Sequence, residues 1–223
     1  IHVLPSFPAS VIPRGWTITR AYDHGQSHPF SVGWFLESNG EPLNYKGVEY
    51  GRVRGDLILW AEWYGRKSPD VENVGLRMSA SRIAQGIIDR EDDWGIRKRV
   101  TPGPADTEIF NKHSDRNGRC PADDMEDIGV YWERADKSAG TRHRGWVRLR
   151  DYLEAAVPQP DGTREKPGFF VCDRCRYWLE LCPPMPRDVK DLDDVPKTYE
   201  DHAADMTRYR INWEIPGMWR RGF

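Results

Sequence analysis

A chain of 223 residues with 38% hydrophobic and 30% charged side chains is long enough to bury a sizeable core and has the balance of an ordinary, rather polar globular protein. No apolar run approaches the roughly 20 residues that a membrane-crossing helix needs, so a membrane protein is not expected. The formal net charge of −2 argues neither for nor against a nucleic-acid partner, so the placement of charge matters more than its sum. The opening Ile1-His2-Val3-Leu4-Pro5 lacks the basic and apolar stretches of a signal peptide. Without a starting Met, the chain reads as a fragment or processed product.

Taken in chain order, Trp16 to Tyr22 is aromatic and β-branched and reads as a strand with Asp23 at its end. After a turn at 24–29, Phe30 to Glu37 reads as a second strand and Asp56 to Tyr64 as a third. Short connections between them predict an antiparallel meander. Trp34, Trp60 and Trp63 fall within these runs and are assigned to the core. Leu76, Ala80, Ile83, Ala84, Ile87 and Ile88 recur at helical spacing. A short strand at about Lys98 to Thr101 leads into Gly103-Pro104-Ala105-Asp106. A polar loop follows, then an extended piece at Gly129 to Trp132. Helical spacing returns from Arg142 to Ala156, a buried strand covers Phe169 to Cys172, and a short helix from Asp173 to Leu181 stops at Pro183-Pro184. The last helix is Tyr199 to Ile211. Strands, helix, strand, helix, strand, helix is the succession of a ribonuclease-H-like fold, a mixed α/β sheet flanked by helices. One domain over 1–223 is expected, with its core at about 16–211 and flexible ends.

Of the four cysteines, Cys172-x-x-Cys175 is half of a zinc hook whose second half is missing, so Cys172 reads as a small core residue. The acidic residues say more. Asp23 and Asp106 fall at predicted strand ends, and Asp201 and Asp205 share a face of the last helix, with His202 beside them. Carboxylates far apart in sequence but gathered in space can hold two Mg²⁺ or Mn²⁺ ions roughly 3.5–4 Å apart, the arrangement that hydrolyses phosphodiesters. Such hard cations take oxygen ligands. Each residue also has an ordinary structural use: Asp106 as a helix N-cap, Asp201 in a first helical turn, Asp23 in a turn. Glu62 closes the third strand, either near the site or as a surface carboxylate. Arg97, Lys98 and Arg99, and the run with Arg142, Arg144 and Arg148, are candidates for phosphate contacts or simply solvated faces.

Several motifs together resemble one family. Asp23-x-Gly25 with Pro29 and Trp34, Glu62-Trp63-Tyr64-Gly65, Gly103-Pro104-Ala105-Asp106 and Arg142-x-x-Gly145 carry part of it. Leu181-Cys182-Pro183 and Glu200-Asp201-His202-x-x-Asp205-x-x-Arg208-Tyr209 carry the rest. From about Trp16 to Arg210 the chain looks like the C-terminal nuclease domain of the large terminase subunit of tailed bacteriophages and prophages. One departure is His24, where the family often carries an aromatic residue. The resemblance implies metal ligation by Asp23, Asp106 and Asp205, with Asp201 and His202 as neighbours. It also implies an endonuclease cutting concatemeric viral double-stranded DNA in the host cytoplasm, alongside a portal protein, a small terminase subunit and a separate ATPase domain. No Gly-x-x-x-x-Gly-Lys-Ser/Thr occurs here, so no P-loop ATPase is expected. Two rival readings are a branched-DNA resolvase or transposase-like enzyme of the same fold, and a non-catalytic module that docks on a portal or motor.

Overall fold

The computed structural model describes residues 1–112, 117–192, 194–196 and 198–214. Its strands are β1 (Val3–Leu4), β2 (Thr17–Asp23), β3 (Ser31–Glu37), β4 (Leu43–Tyr45), β5 (Val48–Tyr50), β6 (Leu57–Tyr64), β7 (Arg66–Ser68), β8 (Val71–Gly75), β9 (Val100–Thr101), β10 (Pro104–Ala105), β11 (Glu133–Arg134) and β12 (Phe169–Cys172). The helices are α1 (Ala80–Asp93), α2 (Pro121–Glu126), α3 (Thr141–Ala155), α4 (Arg176–Leu181) and α5 (His202–Asn212). Eight strands form the main sheet in the order β1-β12-β6-β3-β2-β10-β11, with β9 also pairing on β2. The β2–β3 and β3–β6 pairs are antiparallel, whereas β10, β11, β12, β1 and β9 join in parallel. This is the mixed, helix-flanked ribonuclease-H-like sheet, and its meander is β2-β3-β6. Among the described residues no helix is long and apolar enough to cross a membrane.

Strand alternation sorts the two faces. Arg20 of β2 and Trp34 of β3, paired in register, both donate to Glu91 of α1, at 2.7 and 2.9 Å. Trp34 and Trp60 are fully buried and each meets Trp94, just past α1, edge-on. Trp63 is only half-buried and carries the Arg90 guanidinium 3.8 Å above its ring. Thr19 and Asp23 face the other way, toward α5, where Arg210 Nε donates to Thr19 Oγ1 at 2.7 Å. Helix α5 lies close on this face because Gly33 has no side chain. A Cβ there would stand 2.5 Å from Met206 Sδ and 2.9 Å from Phe35. Gly145 does the same between helices, since its Cβ would fall 2.3 Å from Arg208 Cγ. The Arg142-x-x-Gly145 motif is thus the seat of α3 on α5.

Several boundaries differ from the sequence expectation, and the strand order adds what chain order alone does not contain. Phe7 and Ile12 are buried and β1 pairs with β12, so ordered structure begins well before Trp16. Strand β12 joins β6 at the far side of the meander, and the outermost place beside β10 goes to β11. The polar loop after Asp106 contains α2, opened by Pro121 at its first turn, where a missing N–H costs nothing. Cys172 and Cys175 are both buried, and the Cys175 thiol donates to Leu59 O at 3.5 Å. Burial holds both thiols well above their ordinary pKa, to about 12 for Cys172, which suits packing rather than metal ligation.

Two carboxylates, Asp56 buried and Glu62 half-buried, tie connections to the sheet. Asp56, fully buried ahead of β6, accepts both Arg164 Nη atoms at 2.9 and 2.6 Å and the Val53 and Gly168 amides at 3.0 and 2.8 Å. Glu62 of β6 accepts the Tyr177 and Trp178 amides at 2.6 and 3.0 Å, capping the first turn of α4 from a distant strand. Burial pushes the Glu62 carboxyl up to about 7, against the pull of those two amides. Asp56→Ala should lose about 3–5 kcal/mol in urea unfolding, because an arginine and two amides are left buried without a partner. Glu62→Ala should lose about 1–2 kcal/mol, the cost of a missing helix cap, with the loss of amide protection confined to α4 in hydrogen exchange.

Candidate active site

The site begins with backbone register. Parallel pairing sets Ala105 of β10 against Tyr22 of β2, and the Asp106 N–H donates to Tyr22 O at 2.9 Å. The next residue on each strand is an aspartate, so Asp23 and Asp106 are delivered side by side where the meander meets its first parallel neighbour. Adjacent strands lie only about 4.8 Å apart. Both residues are nearly buried, at 5% and 6% exposure. Helix α5 then crosses this end of the sheet and presents His202, Asp205 and Tyr209 toward them. The Tyr209 hydroxyl donates to Asp106 Oδ2 at 3.1 Å. Burial holds its pKa far up, and the charges of Asp23, Asp205 and Asp106 push it further.

Such crowding has electrostatic consequences. Burial raises the pKa of Asp23, and the charges of Asp205 and Asp106 add to that, while its hydrogen bond to His202 works in the opposite direction. His202 Nδ1 lies 2.9 Å from Asp23 Oδ2 and its Nε2 lies 3.1 Å from Asn73 Oδ1. An imidazolium, which donates at both ring nitrogens, suits an oxygen on each side. Burial opposes that form, but the bond to Asp23 and the charges of Asp23, Asp201 and Glu200 hold the His202 pKa up. Asn73 adopts a left-handed backbone with φ 53°, a conformation asparagine tolerates, and its N–H donates to Glu200 Oε2 at 2.6 Å. Tyr64 and Arg66 hold the other Glu200 oxygen at 2.8 and 3.0 Å. Thus the β7–β8 hairpin and β6 fix the start of α5.

The third acidic position is answered by arginine. Arg142, in the first turn of α3, donates to both oxygens of Asp205 at 3.1 and 3.0 Å, to Asp201 at 2.8 Å and to Asp194 at 2.7 Å. Arg208 adds a bond to Asp205 at 3.2 Å. Burial alone would lower the Arg142 pKa, but Asp205 and its neighbours reverse this and raise it. Asp201 stands at the N-cap position of α5 without making a capping bond, since its carboxylate is turned to Arg142. Burial and the Asp205 charge raise its pKa. Asp106 does serve as a cap, accepting the Glu108 N–H at 2.8 Å, and it also receives Lys137 Nζ at 2.7 Å.

Asp23 and Asp106 are therefore neighbours, His202 joins Asp23, and Asp201 and Asp205 are linked through Arg142, while other expected residues lie elsewhere. Glu62 faces the same side of the sheet but is engaged at α4. Arg97, Lys98 and Arg99 form a turn before β9, which pairs with Ile18 and Thr19 at the opposite end of β2. Four to five strand residues, about 16 Å, separate that end from Asp23. Arg97 is paired with Asp92 and Arg99 donates to Ile12 O and Pro13 O, leaving Lys98 exposed. Arg142 is committed to three carboxylates and is no free phosphate contact. Arg144 and Arg148 stay exposed on α3. Sequence reasoning missed Lys137, Asn73 and Asp194, which lie in loops or a short hairpin with no periodic signal. Glu200, Arg208 and Tyr209 lie inside the quoted C-terminal motif, and their spacing from Asp205 was the available clue.

The donor set suits a hard divalent cation: carboxylate oxygens with one imidazole. Among the described residues, however, no three His, Cys, Asp or Glu side chains form a ready metal cage. Lys137 and Arg142 hold the places of countercharge, so the fit requires their side chains to give way.

No family model matches the chain, and no curated protein matches it by sequence. Solved structures do. The large terminase of a thermophilic bacteriophage aligns over 95% of this chain at 14% identity with a TM-score of 0.59, and its ADP complex at 15% with 0.60. In both, the chain spans 42% of that terminase's length. The P22 large terminase nuclease domain aligns over 93% of this chain and 84% of its own length, at 17% identity with a TM-score of 0.58. This chain has the ribonuclease-H-like fold of a large-terminase nuclease domain.

Proposed function

We propose that this chain is a metal-dependent endodeoxyribonuclease that cuts concatemeric viral DNA during genome packaging. The observation that carries the reading is the side-by-side delivery of Asp23 and Asp106 at one end of the sheet, with His202 and Tyr209 of α5 bonded to them. The fold shared with the P22 nuclease domain supports it. Double-stranded DNA is the substrate. A portal, a small terminase subunit and an ATPase motor are the partners that a packaging nuclease would serve.

Asp23, Asp106 and Asp205 would hold two Mg²⁺ or Mn²⁺ ions, with Asp201 and His202 adjoining. Bound there, the ions supply Lewis-acid neutralisation of the phosphodiester and a water of raised nucleophilicity. The chain's own residues do the rest. Strands β2 and β10 hold two carboxylates on a rigid support, and His202, fixed by Asn73, orients Asp23. Tyr209 orients Asp106 through its hydroxyl. Arg144 and Arg148, one helical turn apart on the exposed side of α3, grip the DNA backbone without reading sequence. The docking-module reading has one observation in its favour, the lack of a ready metal cage among the described residues. Calorimetry with Mn²⁺ separates the two, since a docking module takes up no metal specifically.

Asp23→Asn should abolish plasmid cleavage in Mn²⁺ while keeping the melting temperature at or above that of the wild type. The amide still accepts from His202 and removes one of several mutually repelling charges. Cleavage retained by both Asp23→Asn and Asp106→Asn would defeat the nuclease reading. Arg144→Ala and Arg148→Ala should each weaken duplex binding without changing Mn²⁺ uptake. Each should also lower the slope of log affinity against log salt by about 1, as expected when one phosphate contact is lost.

A further inference from the structure

Every carboxylate in the site has a cationic or donor partner, but those partners differ in how firmly they are held. Arg142 makes four hydrogen bonds to Asp205, Asp201 and Asp194. The Arg208 side chain is 4% exposed, and His202 is pinned between Asp23 and Asn73. Lys137 is different. Its ammonium meets a single carboxylate oxygen, Asp106 Oδ1 at 2.7 Å, and its side chain is 37% exposed. It lies 5.5 Å from the centre of the Tyr209 ring, whose hydroxyl donates to the other oxygen of Asp106. The backbone that carries it is anchored on both sides. Ala135 N–H donates to Ala105 O at 2.9 Å, Ser138 N–H to Asp136 Oδ1 at 2.8 Å and Thr141 N–H to Ser138 O at 3.1 Å. A fixed backbone with a four-carbon stem lets the charge move a few ångströms while staying at the site.

Resting on the nuclease reading above, we infer that Lys137 is a displaceable counter-cation of Asp106 that, once a divalent cation takes that carboxylate, carries its charge to a non-bridging oxygen of the bound phosphodiester. A divalent cation at Asp106 competes with the ammonium for the same carboxylate and repels it at short range, and a singly bonded, exposed ammonium is the group that gives way. The exposed side of the stem is its way out, toward the solvent from which DNA must approach. Lys137 thereby makes two contributions of opposite sign. It weakens metal uptake in the absence of DNA and strengthens the hold on phosphate charge during cleavage.

The test measures Mn²⁺ affinity by calorimetry without DNA, and separately cleavage at saturating Mn²⁺, for the 223-residue chain and its Lys137→Met and Lys137→Arg variants. Lys137→Met should bind Mn²⁺ about tenfold more tightly, because a charge-assisted competitor is gone. It should cleave at least about tenfold more slowly, as when a transition-state donor is removed. Lys137→Arg should keep the wild-type metal affinity and recover most of the cleavage. A damaged fold cannot produce tighter metal binding, so the affinity gain distinguishes this role from mere support of the loop. Normal Mn²⁺ binding by the wild type with unchanged affinity in Lys137→Met overturns the Lys137 assignment alone. Absence of Mn²⁺ binding by the wild type overturns the nuclease reading and this inference with it.

Discussion

The structure turns on a repulsion that the fold imposes. Pairing Tyr22 with Ala105 in parallel register forces Asp23 and Asp106 to emerge next to each other, and α5 adds His202 on the first and Tyr209 on the second. Buried like charges at this spacing are unfavourable, and together with burial itself they raise the Asp23 pKa. The arrangement persists because β-sheet pairing on both sides of β2, and the close seat of α5 on Gly33, leave the carboxylates nowhere else to go. What surrounds them follows from that need for compensation: the His202 ring on Asp23, ammonium on Asp106, and two guanidinium groups on Asp205.

Compensation by side chains comes at two levels. One level is architectural: Arg142 ties α3 and the 194 region to the start of α5, and Glu200 ties β6, β7 and β8 to it. These groups are bonded on several sides and position the acids. The other level is Lys137, with one bond and an exposed stem. Carboxylates held by both kinds of cation are stable as they stand, and the singly bonded one is the cation that the proposed metal would displace. That distinction grows from hydrogen-bond number and exposure.

Much of this was legible in the sequence, for identifiable reasons. The strands β2, β3 and β6 and the helices α1 and α3 carry strong apolar periodicity, and their order alone implied the ribonuclease-H-like sheet. Asp23 and Asp106 were visible because each follows a strand signal directly. Short strands such as β9, β10 and β11, of two residues each, are defined by neighbours rather than by their own composition. For the same reason the sheet positions of β11 and β12, on opposite sides of the meander, could not be read from chain order. The basic run at 97–99 is near Asp106 in sequence, but the pairing of β9 with the start of β2 carries it to the far end. Arg142 looked like a phosphate contact because its acidic partners come from 52 to 63 residues away. Lys137, in an irregular loop, gave no signal at all; only three-dimensional proximity singles it out.

The most direct test is a crystal structure of the chain soaked in Mn²⁺, with the metal located by its anomalous signal. The account requires two peaks bounded by Asp23, Asp106 and Asp205, with Lys137 Nζ no longer bonded to Asp106. Peaks elsewhere on the surface, or none with Asp106 still paired to Lys137, would contradict it.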